Sequence, residues 1–147
     1  MLRRLQRFHV AASPAYLARQ GTPAHPHDLL QHQCLAYKGD AGVQRWFFRQ
    51  GQDNWVPYSV RGPLTGNHAD TLTQAAEQGM GLVMFPSWLI GEALRRGTLV
   101  PVLSEYQVSN SLEPQQIAIL WPGSRRLSVK VRAVIDFFLE RFGTVPY

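Results

Sequence analysis

Four side chains in the stretch "HPHDLLQHQC" have the donor types that bind zinc: His25, His27, His32 and Cys34. Two imidazoles one residue apart, a third further on and a thiol could complete a tetrahedral site. The spacing matches no zinc ribbon or finger, however. His25 flanks Pro26 in a proline-broken loop, and Cys34 opens an apolar run. A solvated loop beside a buried structural cysteine accounts for all four. Cys34 would serve as a nucleophile only if the fold brought a histidine to it. Asp28, Asp40, Asp53 and Asp70 fall at turns and caps, where local backbone hydrogen bonds explain them. No nucleophile-elbow, zincin, Walker or Rossmann pattern occurs. "GMG" (Gly79–Gly81) is half of a dinucleotide signature and precedes a strand instead of following one. The residues favour binding over catalysis, with no cofactor, no metal and no catalytic residue assigned. A metal-dependent enzyme built on the His25–Cys34 group is the reading from another class.

The elements that must position any site follow from composition and pattern. A chain of 147 residues with 45% apolar content is large enough for one domain with a buried core. The longest uncharged run, Gln78 to Gly91, is too short for a membrane span and carries Pro86 within it. "MLRRLQRFHV" has the charges of a signal peptide without the apolar segment that should follow. A lone cysteine points to a reducing cytoplasm. The net charge of +5 rests almost wholly on arginine, Lys38 and Lys130 being the exceptions. Arg3, Arg4, Arg7, Arg95–Arg96 and Arg125–Arg126 are scattered along helix ends and turns, so the charge favours anionic partners without marking a nucleic-acid face.

"FHVAAS" predicts a strand, and Ser13–Pro14 opens a short helix "PAYLARQ" that Gly21 closes. "CLAY" and "RWFFR" read as strands around the turn "KGDAG", and "WVPYSVRG" as an edge strand because of Pro57. Asn67 is expected to cap the next helix with Asp70 answering it, and Leu72, Ala75, Ala76 and Gly79 share its buried face. "LVMF" predicts a strand buried on both faces, followed by the helix "WLIGEALRR" that Gly97 ends. "QIAILW" reads as a second fully apolar strand. Ser128 caps a last helix whose stripe of Val131, Val134, Ile135, Phe138 and Phe142 should be buried, with Arg132 and Asp136 paired on the other side. Helices alternating with buried strands imply α/β layers around a mostly parallel sheet. In such a fold, helix N-termini and strand ends make a ready anion or small-molecule site. Ser13 and the "TGN" stretch Thr65, Gly66 and Asn67 each precede a helix, and each has plain capping as its simpler role.

The series "ASPAYLARQGTP", "DLLQHQCL", "AAEQGMGLVMFPSWL", "GTLVPVL" and "RRLSVKVRAVIDFFLERF" resembles the effector-binding domain of LysR-type transcriptional regulators, from about Arg7 to Gly143 and in the family's order. The resemblance implies a periplasmic-binding-protein-like (type 2) α/β fold, two lobes with an inducer pocket between them. It implies a second lobe over about residues 13–86. Residues of about 8–12 and 99–143 then form crossing strands and the remainder of a partial first lobe. Ser13 and Thr65–Asn67 match positions that commonly line the effector cleft, with Phe85 and Pro86 near it. The family's helix-turn-helix has no counterpart in this sequence, so DNA binding is not carried over to it, and the first lobe is expected to be incomplete. An unpaired edge at "QIAILW" and an uncovered last helix would then favour a homo-oligomer. The expected partner is a small effector, which Arg45, Arg49 and Arg61 would suit if anionic. The alternative is a free-standing small-ligand-binding module of the same fold.

Overall fold

The computed structural model describes residues 2–40, 42–113, 115–121 and 128–143. In chain order the elements are β1 (Leu2–Leu5), β2 (Phe8–Ala12), α1 (Pro14–Gln20), a 3-10 turn (Pro26–Gln31) and β3 (Ala36–Gly39). Then come β4 (Gly42–Val43), β5 (Trp46–Arg49), β6 (Val56–Tyr58), β7 (Thr65–Gly66), α2 (Ala69–Glu77) and β8 (Val83–Pro86). α3 (Ser87–Arg96), β9 (Val100–Val102), β10 (Gln107–Ser109), β11 (Gln116–Ile119) and α4 (Val129–Gly143) complete the chain. Two compact units result: Arg7–Pro114, and the chain up to Gln6 together with the chain from Gln115 onward. The Arg125–Arg126 turn lies outside the described residues.

In Arg7–Pro114 the hub is β2, flanked by two antiparallel partners. Phe8 to Ala11 pair with Pro86 to Val83, and Val10 to Ala12 pair with Val102 to Val100. β3 runs parallel to β7. The two ladders are tied together where Leu35 N–H donates to Leu82 O and Leu82 N–H donates to Gln33 O, both at 2.8 Å. β7, β3, β8 and β9 therefore point one way and β2 the other. The sheet is less parallel than its alternating helices imply, because one inner strand, β2, opposes both of its neighbours. Alternate side chains of β2 feed two cores. Val10 and Ala12 pack with Tyr16, Leu29, Trp46 and Phe48, whereas Ala11 packs with Leu72, Ala76, Ile90 and Ala93 of α2 and α3. Full burial of an aliphatic side chain such as Leu72 or Ile90 stabilises by roughly 1.5–3 kcal/mol. The three-stranded sheet β10–β5–β6 covers the first face, with β6 at its edge as Pro57 requires.

Local chemistry sets the helix ends. Ser13 Oγ accepts from Tyr16 N–H at 3.1 Å, Pro14 takes the first helical position of α1, and Gly21 closes it at φ +82°. α2 starts one residue later than expected: His68 is its cap, the imidazole Nδ1 accepting from Thr71 N–H at 3.2 Å. The Asn67–Asp70 capping pair does not form, since a histidine ring one residue on offers an equally good acceptor.

The smaller unit corrects two expectations. β11 pairs antiparallel with β1, from Leu2 opposite Ile119 to Leu5 opposite Gln116, so one of its edges is filled by a strand the arginine-rich "LRRL" concealed. The stripe on α4 is mostly exposed: Ile135 is buried and Phe138 partly so, while Val131, Val134 and Phe142 are open, as are Val129 and Phe137. A two-stranded ribbon is too small to cover a helix of 15 residues. Ser128 does cap it, accepting from Val131 N–H, and Arg132 stands 3.8 Å from Asp136.

Gly81 makes the joining of the ladders possible, since a Cβ there would sit 2.4 Å from Gln33 O. Gly81→Ala is expected to cost about 2 kcal/mol through forced displacement of that backbone. The check is denaturant unfolding, where an unchanged midpoint would refute the packing described.

Candidate ligand-binding site

The parallel strands end at one edge of the Arg7–Pro114 sheet. From the Cys34–Leu82 bridge, three residues along each strand bring Tyr37 level with Phe85. Gly66 lies opposite Tyr37 and His9 opposite Phe85. The rings of Tyr37 and Phe85 meet edge-on with centroids 6.4 Å apart. β7 leads through Asn67 and His68 into α2, and β8 leads directly into α3. Two helix N-termini thus rise from the same edge, where the helix dipoles favour negative charge.

Five of the six expected residues meet here, in two roles. Thr65 and Asn67 are exposed, and their side chains make no hydrogen bond among the described residues. Gly66 holds the ladder between them. Phe85 is only 5% exposed and belongs to the core, while Pro86 is buried at the start of α3. Ser13 stands elsewhere. Ala11 already pairs with Val83, the first residue of β8, so Ser13 lies beyond the opposite end of that strand. Its hydroxyl is spent on capping α1, and it lines an open depression of about 480 Å³ with Glu77, Arg96 and Thr98. The polar groups there answer one another: Glu77 takes Arg96 at 3.2 Å and the Thr98 hydroxyl.

Sequence reasoning missed His9 and Ser87. Ser87 Oγ donates to Arg7 O at 3.1 Å, so it must accept from His9 Nε2 at 2.7 Å, which puts the imidazole proton on Nε2. Ser87 N–H donates to the same carbonyl at 2.8 Å. Burial, and then the Arg7 charge, hold the His9 pKa below its ordinary value and keep the ring neutral. The two residues are 78 apart in the chain, and only the β2–β8 register brings them together.

The zinc-type group is dispersed into structural duties. His25 Nδ1 accepts from His27 N–H, His32 Nδ1 bonds the Tyr16 hydroxyl at 2.8 Å, and Asp28 accepts from the backbone of Ala24 and His25. Those two bonds lower the Asp28 pKa. Burial pushes the Cys34 thiol up to about 12, so at neutral pH it stays a protonated thiol and a poor nucleophile. Among the described residues, no three His, Cys, Asp or Glu side chains come together as metal ligands. Arg49 is held by Gln107 at 2.6 Å and lies over Trp55.

The LysR substrate binding domain family matches residues 4–143. This chain belongs to that family. It is 30% identical over 137 residues to the HTH-type transcriptional regulator CrgA of Neisseria meningitidis, covering 93% of this chain and 44% of that protein. It is 33% identical over 141 residues to the probable HTH-type transcriptional regulator LtrA of Klebsiella pneumoniae, covering 95% and 44%. Among solved structures, the full-length Vibrio cholerae virulence activator AphB aligns at a TM-score of 0.78 and 28% identity, covering 96% of this chain and 48% of that one. The regulatory domain of CrgA aligns at 0.72 and 29%, covering 95% and 68%. The fold is the periplasmic-binding-protein-like type 2 fold of these LysR regulatory domains, and the chain spans under half the length of the curated relatives it matches. No helix among the described residues is long and apolar enough to cross a membrane.

A histidine held neutral in the fold protonates more readily once unfolded. Stability should therefore fall as pH drops below about 6.5, the unfolded-state value, and level off below the depressed folded value. His9→Gln keeps a donor for Ser87 and removes the titration, so its melting temperature should decline less between pH 7 and pH 5. Parallel pH–melting curves for the two proteins would disprove the assignment.

Proposed function

We propose that this chain is the effector-sensing part of a LysR-type transcriptional regulator, and that a small ligand seats at the sheet edge formed by Thr65, Gly66 and Asn67 beside Phe85 and Pro86. One observation carries this reading: three parallel strand ends and two helix N-termini meet where two polar side chains are exposed and unbonded. Ligands of open α/β sheets bind outside the carboxyl ends of the strands for this physical reason. Arg7 and Lys38 flank the edge and favour an anionic ligand, although Asp70 in the first turn of α2 opposes them. Ser13 is better read as a helix cap than as a ligand contact. The Arg7–Pro114 unit is assigned as the family's second lobe, and the remaining chain as part of the first.

Signalling requires the ligand to prefer one of two arrangements of the protein, and it shifts the balance only by that difference in affinity. DNA contact is assigned to the helix-turn-helix that gives the relatives their names, and the compartment to the cytoplasm where such a regulator works. The free-standing module is the weaker reading, since the relatives named above are regulators. The uncovered face of α4 supports self-association, because exposed apolar patches of this kind are normally paired.

A thermal-shift screen against small organic and inorganic anions, aromatic acids and amino acids tests the site. A ligand at a hundred times its Kd adds about 2.7 kcal/mol to the folded state. Thr65→Val or Asn67→Ala should weaken that ligand tenfold or more, about 1.4 kcal/mol, without moving the ligand-free melting point. A hit that both variants bind like the parent would place the site elsewhere. Light scattering tests association: the parent should be larger than one chain, and Phe137→Glu should shift it toward the monomer. A parent that stays monomeric at high concentration would overturn that part.

A further inference from the structure

Two buried polar atoms lack a partner among the described residues, Trp46 Nε1 and Asn110 Oδ1. Trp46 is 0% exposed and sits in the core on the α1 side of the sheet. β10 pairs with β5 from Gln107 opposite Arg49 to Ser109 opposite Phe47, so Asn110 and Trp46 are the next residues of the two strands, and the register carried one step past the ladder would set them side by side. A turn closed by Ser109 Oγ, which accepts from Ser111 N–H and donates to Ser111 O, bends the chain at Asn110. Trp46 begins β5 on the side from which the chain arrives from β3. Gln44, two residues before Trp46, donates to Tyr37 O at 2.8 Å near the end of β3, whereas Phe48 at the other side of β5 meets Tyr58 and Tyr106.

An indole N–H can only donate, and an amide oxygen can only accept. A buried group of either kind is costly when unbonded, and native interiors seldom keep one. A carboxylate would satisfy the indole and be repelled by the amide oxygen. A hydroxyl satisfies both, accepting from one and donating to the other. We infer that Trp46 Nε1 and Asn110 Oδ1 form a subsite for a hydroxyl group, filled either by a bound water or by the hydroxyl of a small ligand. The ligand arm rests on the reading of the sheet edge proposed above; the water arm does not.

The test is proton–nitrogen NMR of the indole groups in the whole chain. There are four tryptophans, and Trp46→Phe identifies the Trp46 signal by its loss. The probes are glycolate, lactate and 3-hydroxybutyrate, set against acetate, propionate and butyrate. A saturable shift of the Trp46 signal by a hydroxy acid, at least tenfold weaker for its deoxy counterpart and lost in Asn110→Leu, supports a ligand hydroxyl. A cross-peak from the Trp46 N–H to a long-lived water, unchanged by every probe, supports the subsite with water as its occupant. Deoxy acids that bind as well as hydroxy acids overturn the inference. So does a Trp46 N–H at the position of an unbonded indole, without water contact or probe response. A signal that becomes unbonded in Asn110→Leu with neither water nor probe effect means a direct bond, and overturns it too. Should Asn110→Leu fail to fold, the water and probe readouts on the parent still decide. Failure at Thr65 and Asn67 in the thermal screen would leave the water result standing, and an unbonded indole would leave that screen untouched.

Discussion

Two backbone hydrogen bonds between Gln33–Leu35 and Leu82 carry the larger unit, because they turn two separate ladders into one sheet. They demand that backbones approach closely at two places. A Cβ at Gly81 would lie 2.4 Å from Gln33 O, and one at Gly62 would lie 2.0 Å from Cys34 O. Residues 33–35 thus run in a slot whose two walls are glycine. Once that slot is filled, the register from Cys34–Leu82 propagates, and the ends of β3, β7 and β8 come level. The edge proposed for the ligand follows from where those glycines permit contact.

The same constraint explains the electrostatic character of the unit. Groups near the joined ladders are neutral: burial keeps Cys34 a thiol, and burial with the Arg7 charge keeps His9 an unprotonated ring. Full charges stay outside. Arg95 and Glu92 pair with both side chains over 60% exposed, where solvent screening leaves such a pair little effect on stability. Neutral dipoles and backbone groups, with cations at the rim, suit recognition of a small ligand better than proton transfer to one.

Much of the larger unit could be read from the sequence because its signals are local. The Ser13–Pro14 start of α1, the glycine stops at Gly21 and Gly97, and the apolar β8 each depend on a few adjacent residues. The failures have physical causes. His68 displaced Asn67 as a cap because several side chains can accept the same N–H bond, and sequence alone does not rank them. β1 was hidden since a strand that pairs on one side only, as β1 does among the described residues, needs no apolar alternation. The α4 stripe is apolar as its periodicity predicts, but burial depends on what lies opposite, which periodicity does not contain. At the site, Thr65–Asn67 was visible as a strand–helix junction. Ser13 looked equivalent, although it caps a helix at the other end of the sheet. The His9–Ser87 contact had no local signature at all.

Ser13 and Asn67 make the distinction that matters for finding such sites. Each precedes a helix, each is a good cap by type, and each stands next to a strand. What separates them is whether the cap is used. Ser13 is 2% exposed with its oxygen bonded to Tyr16 N–H, so a ligand there would have to break a bond the helix needs. At α2 the neighbouring His68 has taken over the capping, which leaves Asn67 exposed with its donor and acceptor unspent. Phe85 and Pro86 repeat the division on β8: they fix the edge by filling the core, and the side chains left exposed there are ones the core does not need. A binding edge of this kind is made where the fold has satisfied itself one residue early.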